Sequence, residues 1–212
     1  MSVSTSGKFI TIEGGEGAGK STNIKFIVDF LEHKGINVIQ TREPGGTPLA
    51  ERIREILLDK TETSIHSDTE LLLMFAARAQ HLNEVILPAI KNGKWIVCDR
   101  FTDATFAYQG GGRGIDIHRI EKLETWVQGN LRPDLTLIFD LPIEVGLERA
   151  GKRSEPDRFE LENIDFFKRV RNTYLERARQ NPDKYAVINA EPELEDVQQE
   201  LSHVLEQLTA NT

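Results

Sequence analysis

The sequence contains a single cysteine, Cys98, among its 212 residues. One cysteine excludes an intrachain disulfide and any zinc site built from cysteine ligands. Cys98 lies in the apolar run Trp95–Asp99, which predicts a buried strand thiol rather than a reactive one. Neither a disulfide nor a cysteine-zinc centre is therefore expected.

The sequence also lacks an excess of positive charge. Asp and Glu number 34 against 26 Lys and Arg, which gives a formal net charge of −8. This balance provides no basic surface for gripping a nucleic-acid backbone, so no nucleic-acid partner is expected. A few arginines can still create a local positive site for a small phosphorylated ligand.

Long hydrophobic runs are missing too. No apolar stretch approaches the roughly 20 residues needed to span a bilayer, so no membrane association is expected. Residues 1–8 are polar and contain no apolar signal-peptide core. These features favour a cytoplasmic protein.

Short apolar runs alternate with amphipathic stretches along the chain. The apolar runs predict strands at 9–13, 37–41, 95–99, 135–140 and 185–188. The amphipathic stretches predict helices near 20–34, 47–59, 67–92, 102–109, 116–129, 143–152, 162–180 and 193–208. This alternation is typical of βαβ units and predicts an α/β fold with a mainly parallel sheet covered on both faces. No linker or internal repeat divides the chain, so residues 1–212 are predicted to form one domain.

Residues 14–21 match the phosphate-loop pattern G-x-x-x-x-G-K-S/T and lie between a predicted strand and a predicted helix. Glycines let backbone N–H groups wrap around phosphate oxygens, and the following helix presents its positive end. Lys20 is expected to reach the β and γ phosphates of ATP, and the Ser21 hydroxyl to bind Mg²⁺. The predicted ATP-binding residues of this segment are Gly14, Gly15, Glu16, Gly17, Ala18, Gly19, Lys20, Ser21 and Thr22.

A phosphate loop is shared by kinases, GTPases, motors and transporter ATPases. The sequence contains no Asn-Lys-x-Asp motif for reading guanine, which argues against a GTPase. It also shows no second globular unit through which a motor would act. A small single-domain phosphotransferase remains.

Charged residues at predicted strand ends indicate a second binding site. Asp99 and Arg100 close the third strand, at the edge where parallel sheets bind their ligands. Asp99 can hold magnesium or its water shell, and Arg100 can clasp a phosphate group with two hydrogen bonds. Arg42 follows the second strand, and Arg78 interrupts an apolar helix. A phosphorylated acceptor is therefore expected beside the phosphate loop.

Five ordered motifs are shared with a known enzyme family. They are Glu-Gly-x-Glu-Gly-x-Gly-Lys-Ser (13–21), Thr-Arg-Glu-Pro-Gly-Gly (41–46), Asp-Arg-Phe (99–101), Ala-Tyr-Gln-Gly (107–110) and Arg-Pro-Asp-Leu-Thr (132–136). From residue 9 to about 204 the sequence resembles thymidylate kinase of the bacterial type. The resemblance implies a P-loop NMP-kinase-like three-layer fold with five parallel strands, a lid at about 149–160, and a homodimer. It also implies phosphorylation of dTMP to dTDP by ATP–Mg²⁺, a step in dTTP synthesis.

The resemblance implies acceptor roles at the matching positions. Arg100 would hold the dTMP phosphate with help from Arg42 and Arg54. Asp99 would position magnesium and the attacking oxygen, and Glu16 would accept a hydrogen bond from the sugar 3′-hydroxyl. The remaining contacts would come from Pro44 near the base, Arg78 at thymine O4, Thr105 at the N3 edge, Tyr108 under the deoxyribose and Gln109 in the same pocket.

The resemblance leaves the stacking residue and the catalytic arginine open. In the family, the residue four positions before the helix arginine is usually aromatic and stacks on thymine. Here that position is Met74, with Phe75 beside it. The serine that the family usually has five residues after Asp99 is replaced by Ala104. Gly17 stands where the other family type has an arginine, so the catalytic arginine is expected in the lid. Arg153 is the first choice and Arg158 the second, and Arg149 is expected near adenine. The predicted catalytic residues are Lys20, Asp99, Arg100, Arg153 and Arg158.

Two other functions are compatible with these features. The first is another nucleoside or nucleotide kinase, for example one acting on dCMP. The second, from a different class, is an ATP-binding regulatory module without transfer activity. That module would leave the pairing of Asp99-Arg100 with a second arginine set unexplained.

Overall fold

The computed structural model describes residues 7–60, 65–151 and 157–210. Within them, five parallel strands form one sheet in the order β2-β3-β1-β4-β5. The strands are β1 (Phe9–Gly14), β2 (Val38–Arg42), β3 (Trp95–Asp99), β4 (Leu135–Asp140) and β5 (Tyr185–Asn189). Each predicted strand is present, with both ends within one residue of the prediction.

Helices connect the strands and cover both faces of the sheet. They are α1 (Lys20–His33), α2 (Pro48–Leu58), α3 (Ser67–His81), α4 (Leu87–Lys91), α5 (Thr102–Thr105), α6 (Ile117–Gln128), α7 (Ile143–Gly151), α8 (Ile164–Gln180) and α9 (Leu194–Ala210). Local sequence fixes several helix starts. Thr47 accepts a hydrogen bond from the Ala50 N–H with Pro48 in the first turn of α2, and Asn163 caps α8 in the same way.

Two π-helical segments depart from the predicted helices. The predicted helix 67–92 is divided by the π-helical segment Leu82–Ile86, which ends two residues before Pro88. Proline has no backbone N–H to donate to the helix. The helix predicted to end at residue 109 continues as Phe106–Gly112. Two of its glycines pack against α8, because a Cβ on Gly111 would lie 2.1 Å from Thr173 Oγ1 and one on Gly112 would lie 2.4 Å from the Phe166 ring.

The hydrophobic core lies on both sides of the sheet. On one face, Ile27 and Leu31 of α1 and Leu201 and Leu205 of α9 cluster with Leu137 and other strand residues. The opposite face packs against α8 and against the segment from Leu82 to Ala89. Cys98 is fully buried in this second layer, and burial raises the pKa of its thiol, which agrees with the predicted strand thiol.

The sheet register brings the candidate site residues to one edge. Asp99 of β3 lies opposite both Ile12 of β1 and Arg42 of β2. The residues that follow these strands therefore meet above the same edge, where ligands bind in open parallel sheets. In the part of the chain that the structure describes, none of the helices is long and apolar enough to cross a bilayer.

Candidate active site

The phosphate loop joins β1 to α1, and its backbone adopts conformations at several positions that favour glycine. Gly14, Gly17 and Gly19 have φ values of 135°, 69° and 77°, a region that side-chain-bearing residues rarely adopt. A Cβ on Gly17 would lie 2.0 Å from the backbone oxygen of Gly146 in α7. The loop is thus packed backbone to backbone against α7, and its N–H groups and the α1 N-terminus form a cradle for phosphate.

Lys20 opens α1 and turns back over the loop. Its Nζ donates to the carbonyl oxygens of Gly14 (3.0 Å) and Gly15 (2.7 Å). Burial, with Arg100 nearby, lowers the pKa of Lys20 to about 8. An ammonium group held this way is available to a phosphate oxygen, while Ser21 and Thr22 in the same turn are exposed.

The turn after β3 places Arg100 between the phosphate loop and a cavity. Arg100 is the one described non-glycine residue with a positive φ, 66°. Its guanidinium bonds to the Glu16 carboxylate and lies 4.8 Å over the ring of Tyr108, whose hydroxyl also donates to Glu16 (2.9 Å). Burial alone would raise the pKa of Glu16, but Arg100 and Lys20 outweigh it and lower that pKa to about 2. Glu16 is therefore a carboxylate at neutral pH.

The residues at this edge fit a magnesium ion. Asp99 Oδ1 is buried and has no hydrogen-bond partner among the described residues, and Ser21 is exposed at the start of α1. In residues 7–60, 65–151 and 157–210, no group of three or more His, Cys, Asp or Glu side chains could hold a metal on its own. This donor set suits magnesium, which binds through one or two protein oxygens together with substrate phosphates and water.

A cavity of about 110 Å³ opens beside Arg100. Nine of the eleven predicted dTMP-binding residues line it, namely Glu16, Pro44, Arg54, Met74, Arg78, Arg100, Thr105, Tyr108 and Gln109. The structure therefore brings together residues from the loop after β2, from α2 and α3, and from the helical segment after β3. Their roles toward dTMP remain predictions.

Arg78 is held in the cavity wall with one donor left over. Its Nε donates to Glu43 Oε2 (2.7 Å). Its Nη2 donates to both Phe101 O (3.1 Å) and Thr105 Oγ1 (3.0 Å). The buried Nη1 has no partner among the described residues. A buried unpaired donor is costly, so a ligand acceptor such as a base carbonyl fits this position.

Two predicted acceptor residues do not line the cavity. Arg42 is paired with Glu51 through two hydrogen bonds of 3.2 and 2.8 Å, and its side chain is 53% exposed. Phe75 is buried in a cluster with Leu71 and Phe106. Met74, its neighbour in α3, is the one that faces the cavity.

The described lid arginines bind different parts of the protein. Arg149 donates to the backbone oxygens of Ala190 (2.9 Å) and Glu191 (3.1 Å), after β5. Arg158 donates to Leu57 O (2.8 Å) and forms an ion pair of 2.6 Å with the buried Glu70 of α3. Arg153, the first choice for the catalytic arginine, lies outside the described residues.

Sequence reasoning missed several side chains around the cavity. Glu43 bonds to Arg78 and His81 (2.9 Å), and its position inside the Arg-Glu-Pro-Gly-Gly motif was an available signal. Asp157 and Phe159 of the lid also line the cavity, although no local pattern distinguishes them. Glu13 and Tyr174 lie beneath Arg100, and a glutamate within an apolar strand was the signal for the first.

Comparison with known proteins identifies the family. The family model for thymidylate kinase matches residues 12–201. The thymidylate kinases of Ectopseudomonas mendocina (strain ymp) and Pseudomonas fluorescens (strain Pf0-1) are each 59% identical over 202 residues, which cover 95% of this chain and 96% of each relative. Both similarities span almost the whole sequence.

A solved structure leads to the same family. The crystal structure of thymidylate kinase from Ehrlichia chaffeensis is 34% identical to this chain, with a TM-score of 0.76, covering 94% of this chain and 98% of that one. The predicted fold, a five-stranded parallel sheet flanked by helices in the manner of P-loop NMP kinases, is confirmed. The chain belongs to the thymidylate kinase family.

Proposed function

We propose that this chain transfers the terminal phosphoryl group of ATP to dTMP and releases dTDP and ADP, with the residues around Arg100 joining the two substrates. The observation that carries the proposal is the position of Arg100. Its guanidinium bonds to Glu16 of the phosphate loop and lines the acceptor cavity. One side chain thus contacts both the donor loop and the place where an acceptor phosphate would lie.

The cavity chemistry supports a pyrimidine deoxynucleotide as acceptor. Arg78 Nη1 and the Thr105 hydroxyl supply polar groups for the base edge, and Met74 and Pro44 supply apolar walls. Tyr108 lies on the guanidinium of Arg100 and closes the cavity near Glu16. A sugar held against Tyr108 would leave little room for a 2′-hydroxyl, which favours deoxyribose.

The transfer requires positioning and charge compensation more than covalent catalysis. An oxygen of the dTMP phosphate attacks the γ-phosphorus in line as the bond to the β–γ bridging oxygen breaks. Lys20 and Arg100 offset the negative charge at the two phosphates, and a lid arginine is proposed to do so at the moving group. Asp99 and Ser21 would hold Mg²⁺, which supplies further compensation for the charge of the β and γ phosphates. No strong base is needed, because the attacking oxygen is already anionic.

A substrate panel tests this function. ADP formation is measured with ATP–Mg²⁺ and, in parallel, dTMP, dUMP, dCMP and dGMP. We expect the highest kcat/KM with dTMP. Preference for dCMP would favour another nucleotide kinase, and ATP binding without turnover on any acceptor would favour a regulatory module.

The proposal extends to organisation and assembly. It includes a single catalytic domain over residues 1–212 with a lid at about 149–160, a cytoplasmic location, and a homodimer. The homodimer is supported by the family resemblance. Light scattering coupled to size-exclusion chromatography should give twice the mass of one chain, and a monomer mass would overturn that part.

A further inference from the structure

Glu13 is a fully buried glutamate with no part in the contacts described so far. It is the penultimate residue of β1 and precedes the phosphate loop. Its Oε1 accepts from the backbone N–H of Phe101 (2.7 Å), and its Oε2 accepts from the Tyr174 hydroxyl of α8 (2.8 Å). Glu13 is not among the residues that line the cavity, and both of these partners are protein groups.

Both partners of Glu13 lie directly against Arg100. The Arg100 N–H donates to Ile12 O (2.9 Å) and the next N–H, of Phe101, donates to Glu13. These two consecutive bonds from β1 secure a turn in which Arg100 has a φ of 66°, a conformation that persists only when the surroundings enforce it. The Arg100 side chain also reaches Glu13 indirectly, because its Nη1 lies 3.4 Å from the Tyr174 hydroxyl.

We propose that Glu13 is a positioning residue that holds the backbone and the guanidinium of Arg100 in place for the acceptor phosphate. The inference rests on the proposed role of Arg100 as the phosphate clamp. Glu13 acts from below the turn, while Glu16 and Tyr108 hold the exposed side of the guanidinium. Arg100 is thereby held from both sides before any substrate binds, directly by Glu16 and through Tyr174 by Glu13.

The electrostatics of Glu13 agree with a role beyond packing. Burial, reinforced by Asp103 of α5, raises the pKa of Glu13 to about 7, against the opposing effects of Arg100, Tyr174 and the Phe101 N–H. An apolar residue would avoid that cost at the core position. A carboxyl group offers two acceptor oxygens, which suits an arginine turn that must be held rigidly.

The test separates phosphate binding from nucleoside binding. Calorimetry gives the Kd of dTMP and of thymidine, which lacks the phosphate, and their ratio measures what the phosphate contributes. In Glu13→Gln, which keeps the shape but replaces one of the two acceptor oxygens with an amide donor, we expect the ratio to fall about 3- to 10-fold with thymidine affinity nearly unchanged. Tyr174→Phe should lower the ratio by about 2- to 5-fold. An equal loss of affinity for both ligands would reveal a merely structural role and overturn the proposal.

A matched control and a second variant keep the outcomes distinct. Thr11→Val removes another buried hydrogen bond of β1, to Thr136 Oγ1 at 2.9 Å, and should leave the ratio unchanged. Arg100→Ala should remove most of the affinity difference between dTMP and thymidine. If it does not, the proposed role of Arg100 as the phosphate clamp is wrong. If Arg100→Ala lowers the ratio but Glu13→Gln keeps it, the inference about Glu13 is overturned. Should Glu13→Gln not fold, an unchanged ratio in Tyr174→Phe overturns it as well.

Discussion

The two substrate sides of the molecule are built from different materials. The donor side is one continuous segment, in which backbone groups of Gly14 to Gly19 form the cradle and Lys20 adds a charge. The proposed acceptor side is a cavity lined by side chains of several segments far apart in sequence, including Arg54, Arg78 and Arg100. A backbone site leaves a compact sequence signature because its conformation demands glycine at fixed spacing. A site made of side chains leaves a scattered sequence signature. Its residues should differ widely in how much each contributes to substrate binding.

Lys20→Met should give the largest effect, because it removes the charged side chain of the donor cradle. We expect kcat to fall by roughly 10²- to 10³-fold or more. Single-turnover transfer of phosphate from ATP to dTMP measures this loss. Retention of a near-native rate would show that the cradle charge comes from another residue.

The same substitution should stabilise the ligand-free protein. The pKa of Lys20 is lowered from 10.5 to about 8, so its charged form is disfavoured in the folded state. This penalty is fully present below pH 8 and disappears as the pH rises toward 10.5. We expect Lys20→Met to gain about 1–2 kcal/mol at pH 7, after loss of its two hydrogen bonds, and less at pH 9. Urea unfolding at pH 7 and at pH 9 measures the free energy of unfolding of both proteins. A variant less stable than the unchanged protein at pH 7 would contradict the prediction.

Arg100→Ala should be the most damaging change on the acceptor side. Loss of a part-buried, charge-assisted clamp costs on the order of 2–5 kcal/mol, so kcat/KM for dTMP should fall by two to three decades or more. ATP affinity should change little, because the donor cradle is backbone. Calorimetry with each substrate separates the two, and unaltered dTMP binding would refute the assignment.

Met74 and Phe75 provide a matched pair within the acceptor helix. Phe75 is buried in the core and Met74 faces the cavity. Phe75→Ala should lower the free energy of unfolding by roughly 3–5 kcal/mol, whereas Met74→Ala should mainly raise the KM for dTMP. Thermal unfolding and steady-state kinetics on both variants give the answer. The reverse pattern would return the stacking role to Phe75.

The contrast between the two sides also explains what the sequence could predict. The strands were predictable because each is a short apolar run, and the cradle because its residues are consecutive. The π-helical course of Phe106–Gly112 was not, since it depends on how closely its glycines approach α8. The link from Glu13 to Tyr174 joins residues 161 positions apart and has no local pattern. Strand-end and helix positions pointed to Arg100, Arg42 and Arg78, whereas contacts such as Thr105 and Tyr108 were reached only through the family resemblance.

Arg42 and Arg54 give the smallest expected effect and the finest test of the acceptor side. Arg54 lines the cavity and donates to Pro44 O (3.0 Å), and burial, together with Arg42, lowers its pKa. A half-buried cation close to another positive group is suited to an incoming phosphate. Arg42 is instead exposed and paired with Glu51, and such surface pairs contribute about 0–1 kcal/mol.

We therefore expect Arg54→Met to raise the KM for dTMP by about tenfold and Arg42→Met by less than about threefold. Methionine keeps much of the aliphatic length at both positions, so the comparison isolates the charge. Glu51→Gln is the control, because it frees Arg42 without removing it and should leave the KM nearly unchanged. If Arg42→Met instead matches Arg54→Met, the pair with Glu51 opens when dTMP binds, and Arg42 joins the phosphate clamp as the family resemblance implies.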